Sequence, residues 1–109
     1  MLFWKIGQIV CNREVEYENA ILKYSNLCSY YFGMSETFSI NNIKYMRSFY
    51  CSFPIYFDEL NKLSFEHYKL FVNITDKQKR YFYFRIALFC RSNVEELKNI
   101  ISNDTYLYI

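Results

Sequence analysis

Apolar residues recur at helical spacing along most of the chain. Leu2, Phe3, Ile6, Ile9 and Val10 do so from the first residues, with no N-cap before them, so the chain opens inside a helix. Residues 12–16 are a polar connection. A second helix is expected over 16–32, with Ile21, Ser25, Cys28 and Phe32 on its inner face. Gly33 follows, where a left-handed closing residue is easy for glycine, and 34–38 read as a turn. The most patterned stretch is FSINNIKYMRSFYCSFP at 38–54. Ser39 is placed to cap a helix with its hydroxyl, and Pro54 closes the segment by holding the residue before it extended. Between them Ile43, Met46, Phe49, Tyr50 and Phe53 form one apolar arc, and Asn41, Lys44, Arg47 and Ser48 form the opposite, polar one.

Beyond Pro54 the elements are shorter. Residues 55–61 read as a short helix or a turn. Ser64 is the cap candidate ahead of FEHYKLFV. Thr75 opens T-D-K-Q and Ser92 opens S-N-V-E, both of capping-box form; they predict helices over 76–90 and 93–102. Residues 103–109 are expected to be a frayed end or a truncated continuation. Six or seven short helices, with no alternating strand pattern, predict an all-α single domain of small, orthogonally packed helices.

Composition fits that picture. The chain has 109 residues, enough for one domain, and is 52% hydrophobic with 12 Tyr and 11 Phe, which supplies ample core. A net charge of +2 does not by itself establish a nucleic-acid partner. Cys11, Cys28, Cys51 and Cys90 are widely spaced, without a CxxC or CxxH knuckle, and read as reduced, mostly core residues of a cytoplasmic protein. Lys5 and Gln8 interrupt the opening apolar stretch, and the run at 81–90 is too short for a bilayer and carries Arg85, so no membrane partner is expected.

No catalytic set, cofactor site or metal site is predicted. His67 adjoins Glu66, but neighbouring residues on a helix point apart, so His67 reads as a partly exposed structural histidine. Glu95 and Glu96 suit a helix N-terminus, and Asp76, Lys77, Lys79 and Arg80 read as a solvated face. The polar arc of 38–54 is weakly basic, which suits a DNA recognition helix, although periodicity alone favours an ordinary surface helix.

Several blocks resemble a known family. LFWKIGQIV at 2–10, AILKYSNLCSYYFG at 20–33, FSINNIKYMRSFYCSFP at 38–54, LSFEHYKLF at 63–71 and the helical unit at 72–101 are similar to the N-terminal domain of YhcG-type bacterial proteins. In those proteins the domain precedes a PD-(D/E)XK nuclease domain. The middle block carries the most specific pattern, FS–two–N–aliphatic–two–MR–one–FY closed by Pro. The order of the later blocks also resembles the ParB helix-turn-helix region. The resemblance implies a helix-turn-helix-like, DNA-binding domain without catalysis of its own, with Ser39 at the recognition-helix cap and Asn42 and Arg47 inside the matched motif.

There are departures. Ile40 and Asn41 stand where the family often has basic residues, Phe65 replaces a tryptophan, and CRSNV at 90–94 lacks another. Relative to the family the upstream part of the first helix and the nuclease domain are absent, and a nuclease segment is expected to be encoded just downstream. Two functions follow as expectations. In the first, Lys44 and Arg47 meet phosphates of double-stranded DNA while Asn41 and Ser48 reach base edges. In the second, the domain binds itself or a separate nuclease subunit through an aromatic surface bared around Phe3 and Ile6.

Overall fold

The computed structural model describes residues 1–12, 17–33, 36–103 and 106. Residues 13–16 of the expected polar connection, the first two turn residues 34 and 35, and most of the expected frayed end lie outside these. Among the described residues the fold is all-α, with no strand. The helices are α1 (Leu2–Cys11), α2 (Tyr17–Phe32), α3 (Ile40–Ser52), α4 (Phe65–Phe71), α5 (Lys77–Phe89) and α6 (Val94–Ser102), with a 3-10 helix at Asp58–Lys62 before α4. They fall into two compact units, Met1–Pro54 and Ile55–Ile109.

In the first unit α1 packs chiefly on α3. Gly7 makes this possible, because a Cβ there would lie 2.0 Å from the Met46 carbonyl oxygen and 3.1 Å from Tyr50 Cβ. The two backbones therefore meet directly. Three residues earlier Trp4 spans the same contact: its indole N–H donates to the Phe53 carbonyl at 2.7 Å, and its ring meets Tyr50 edge-on at 5.2 Å. Ile43, Met46, Phe49 and Phe53 are fully buried, and Tyr50 is half-buried at the edge of their arc.

The connection into α3 is held by side chains. The Ser39 hydroxyl accepts the Asn42 N–H at 3.2 Å, while the Asn42 amide donates to the Glu36 and Thr37 carbonyls at 3.0 and 3.1 Å. Asn42 thus braces the turn. The Ser25 hydroxyl donates to the Phe38 carbonyl at 2.6 Å, which ties α2 to the same turn. Ile21, Ser25 and Cys28 face inward as expected, but Phe32 does not: it is 48% exposed. One face of its ring stacks on Phe38 at 5.3 Å, and the rest meets solvent at the end of α2. Gly33 ends that helix at φ 66°.

The cysteines are reduced, but only Cys28 is a core residue; Cys51 and Cys90 are exposed, and Cys11 lies half-buried with its Sγ 3.9 Å from that of Cys51. Burial pushes the Cys28 thiol above its ordinary value, which lowers its thiolate fraction at any given pH. With a water-soluble thiol reagent near pH 8, Cys51 and Cys90 are expected to label first and Cys28 last, catching up only on unfolding. Early labelling of Cys28 in a mass-spectrometric time course would contradict the packing of α2.

The second unit is built on rings. Phe57, Tyr68, Phe71 and Phe84 meet one another with centroids 5.8–6.4 Å apart, mostly edge to face. The Tyr68 hydroxyl donates to the Leu60 carbonyl at 2.5 Å, and burial, then the neighbouring Tyr56, raises its pKa strongly. Ser64 caps α4 as expected, but two other cap assignments shift by one residue. Asp76, not Thr75, caps α5, accepting the Gln78 and Lys79 N–H groups at 2.9 and 3.1 Å. A carboxylate is charged as well as an acceptor, so it outcompetes the adjacent hydroxyl at the positive end of a helix.

Asn93, not Ser92, caps α6 and forms its capping box with Glu96. Ser92 is committed elsewhere. Arg91 takes the left-handed conformation at φ 50°, and the Ser92 N–H reaches back to the Ala87 carbonyl at 3.2 Å, closing α5 in a Schellman turn.

His67 departs furthest from expectation, since it is buried and fully engaged. Its Nδ1 accepts the Ser64 N–H at 3.2 Å and lies 2.7 Å from the Ser64 hydroxyl, and its Nε2 donates to the Ser92 carbonyl at 2.8 Å. An acceptor at one nitrogen and a donor at the other is the neutral Nε2–H tautomer. One ring therefore completes the cap of α4 and anchors the α5–α6 turn.

Candidate nucleic-acid interface

The buried arc of α3 leaves one polar strip outside. Asn41 and Lys44 are exposed; Arg47 and Ser48, one turn on, are half-buried. Positions 41, 44 and 48 follow helical spacing and share a face. Ile40, 43% exposed, and Cys51 flank the strip. The strip offers two amide or hydroxyl groups able to meet base edges and two cations able to meet phosphates. α3 has no acidic residue.

The other cation-rich helix is α5, where Lys77, Lys79, Arg80 and Arg85 also occur without an acid. Its first turn is not simply a solvated face. Asp76 is the cap, and Arg80 Nη1 donates to the Ile74 carbonyl at 2.8 Å. Lys77, Gln78 and Arg85 remain outward. The spacing of Lys77, Tyr81 and Arg85, four residues apart each time, is the signal that places them on one face. α3 and α5 together hold six of the 13 basic residues and none of the 11 acidic ones, so the charge is strongly segregated although the net value is small.

Two further features belong to the surface. A cavity of about 700 Å³ opens beside His67, between Glu59, Lys62, Phe89 and Arg91, with charges of both signs. On α2, Leu22, Leu27, Tyr30, Tyr31 and Phe32 are exposed, the two tyrosines by 82% and 74%. Phe3 and Ile6 do not form such a patch: Ile6 is only 6% exposed, and Phe3 is half-buried with its ring 6.3 Å from that of Phe38. Among the described residues no three His, Cys, Asp or Glu side chains gather in a metal-binding group, and no helix is long and apolar enough to cross a membrane.

The family model for the DUF1016 N-terminal domain matches residues 1–107, so it spans every helix described above. No curated protein and no solved structure matches the chain. With the match running from α1 through α6, the chain belongs to the DUF1016 N-terminal domain family.

Proposed function

We propose that this domain is a cytoplasmic, helix-turn-helix-type module that binds double-stranded DNA through α3 and performs no catalysis itself. The observation that carries the reading is the charge segregation: α3 presents Lys44 and Arg47 beside Asn41 and Ser48, with no carboxylate on the helix to repel phosphate. Lys44, the more exposed cation, takes a phosphate, and Asn41, in the first turn, takes a base edge. Arg47 and Ser48 complete the contact where the strip runs toward the buried side. The family resemblance adds a nuclease as the natural partner, working on the DNA this module holds.

The test is a fluorescence-polarisation titration of the chain with labelled duplex DNA at several salt concentrations. Binding is expected to weaken steeply with salt, with a log–log slope of about −0.9 for each phosphate neutralised. No binding at low salt sinks the reading.

A second reading has its own observation, the exposed Leu22, Leu27, Tyr30, Tyr31 and Phe32 of α2. An apolar surface of this kind favours association, here with a second copy of the chain. Light scattering separates the two: a concentration-dependent dimer lost in Tyr30→Ser/Tyr31→Ser supports association, and a monomer at high concentration excludes it.

A further inference from the structure

We propose that a groove along α5 binds a single strand of DNA, its bases stacked on aromatic rings and its phosphates held by Lys77 and Arg85. The proposal takes its ligand class from the DNA reading above, but it rests on different residues and a different ligand form.

The groove has a volume of about 430 Å³ and is lined by Lys77, Gln78, Tyr81, Phe82, Arg85 and Tyr106. It is open rather than enclosed, which suits a strand lying along it better than a small molecule sealed within. Lys77, Tyr81 and Arg85 follow one another at four-residue steps, so a cation stands one turn to either side of the Tyr81 ring. The two cations are separated by about 12 Å along the helix, a span that lets both reach one extended backbone. Both are exposed, and among the described residues that line the groove none carries a carboxylate to compete for them.

The aromatic side is built, not incidental. The Tyr106 N–H donates to the Tyr83 hydroxyl at 3.2 Å, which anchors Tyr106 beside Phe82 at 5.3 Å between centroids. Phe82 in turn meets the Tyr83 ring at 5.2 Å. Tyr83 is fully buried, whereas Tyr81, Phe82 and Tyr106 keep part of their surface outward. A basic groove interleaved with partly exposed rings is the arrangement that holds unpaired bases, because every base offers a π-face. A duplex conceals those faces within its stack.

The experiment uses the whole chain and fluorescein-labelled oligo-dT, with oligo-U and a duplex of equal length as parallel arms, at low salt. Oligo-dT is expected to bind, and Lys77→Glu/Arg85→Glu to weaken it at least tenfold. Tyr81→Ser is expected to weaken it about tenfold while Tyr81→Phe, which keeps the ring, retains it. Circular dichroism melts confirm that each variant folds; for any that does not, Lys77→Gln and Arg85→Gln replace it.

No oligo-dT binding overturns the proposal, whatever the duplex does. So does a loss in Lys44→Glu as large as that in the α5 double variant, because it points to diffuse charge. Tighter binding of oligo-U overturns the assignment to DNA. If oligo-dT binds through α5 while duplex DNA does not bind at all, this proposal stands and the α3 reading fails.

Discussion

Gly7→Ala is expected to destabilise the first unit by about 3 kcal/mol, at the upper end of what an added methylene costs in a packed core. The reason is the identity of the atoms in the way. The new Cβ would lie 2.0 Å from the Met46 carbonyl oxygen and 2.6 Å from its carbon. These are backbone atoms inside a helix, and no rotamer change moves them. α1 must instead lift from α3, which stretches the bond from Trp4 to the Phe53 carbonyl and loosens the packing of Ile6 and Val10. Alanine has the higher helix propensity by about 1 kcal/mol, so a destabilised variant isolates the tertiary clash from any local effect. Urea unfolding measures it. A variant as stable as the parent would mean that α1 and α3 do not approach as closely as described.

The second large effect is expected at His67. Its removal in His67→Ala leaves the buried Ser92 carbonyl without its donor and the part-buried Ser64 N–H without its acceptor, at the edge of the cavity beside α4. Each orphaned buried group costs about 1–3 kcal/mol, so a total of about 3 kcal/mol is expected. His67→Gln discriminates between the two roles of the ring. Glutamine is a good third residue for a capping box, and it restores the bond to the Ser64 N–H without reaching Ser92. It is therefore expected to recover about half of the loss in thermal melting. Full recovery would show that the bond to Ser92 contributes nothing; no recovery would show that the cap does not matter.

These two residues also show where the sequence stops being legible. The arc of Ile43, Met46, Phe49 and Phe53 and the cap at Ser39 depend on local periodicity and nearby chemistry, and both can be read from 38–54 alone. Gly7 cannot: within a helical pattern a glycine is only a weak helix former until its neighbour in space is known. His67 is similar, because the Ser92 carbonyl that makes it a clasp is 25 residues away.

The caps at 76 and 93 were ambiguous for a different reason. In Thr75–Asp76 and Ser92–Asn93 two competent residues stand side by side, and the choice depends on charge in one pair and on the Schellman turn at Arg91 in the other. The outward Tyr30 and Tyr31 were hidden by composition, because a chain so rich in aromatics leads one to assign them all to the core. For the candidate interface, spacing marked the polar strip of α3, with Arg47 and Ser48 proving only half-exposed. The face formed by Lys77, Tyr81 and Arg85 was masked by the aromatic residues between them.

Duplex binding by the outer strip of α3, as proposed, is tested most directly by comparing the parent chain with Lys44→Glu. Lys44 is exposed, so the substitution leaves the packed face of α3 untouched. In a fluorescence-polarisation titration with duplex DNA, the parent is expected to bind at low salt. Lys44→Glu is expected to weaken that binding about tenfold and to reduce the salt slope by about one phosphate. Equal affinity and equal slope in the two proteins, or no binding by the parent, would show that α3 is not a duplex-binding helix.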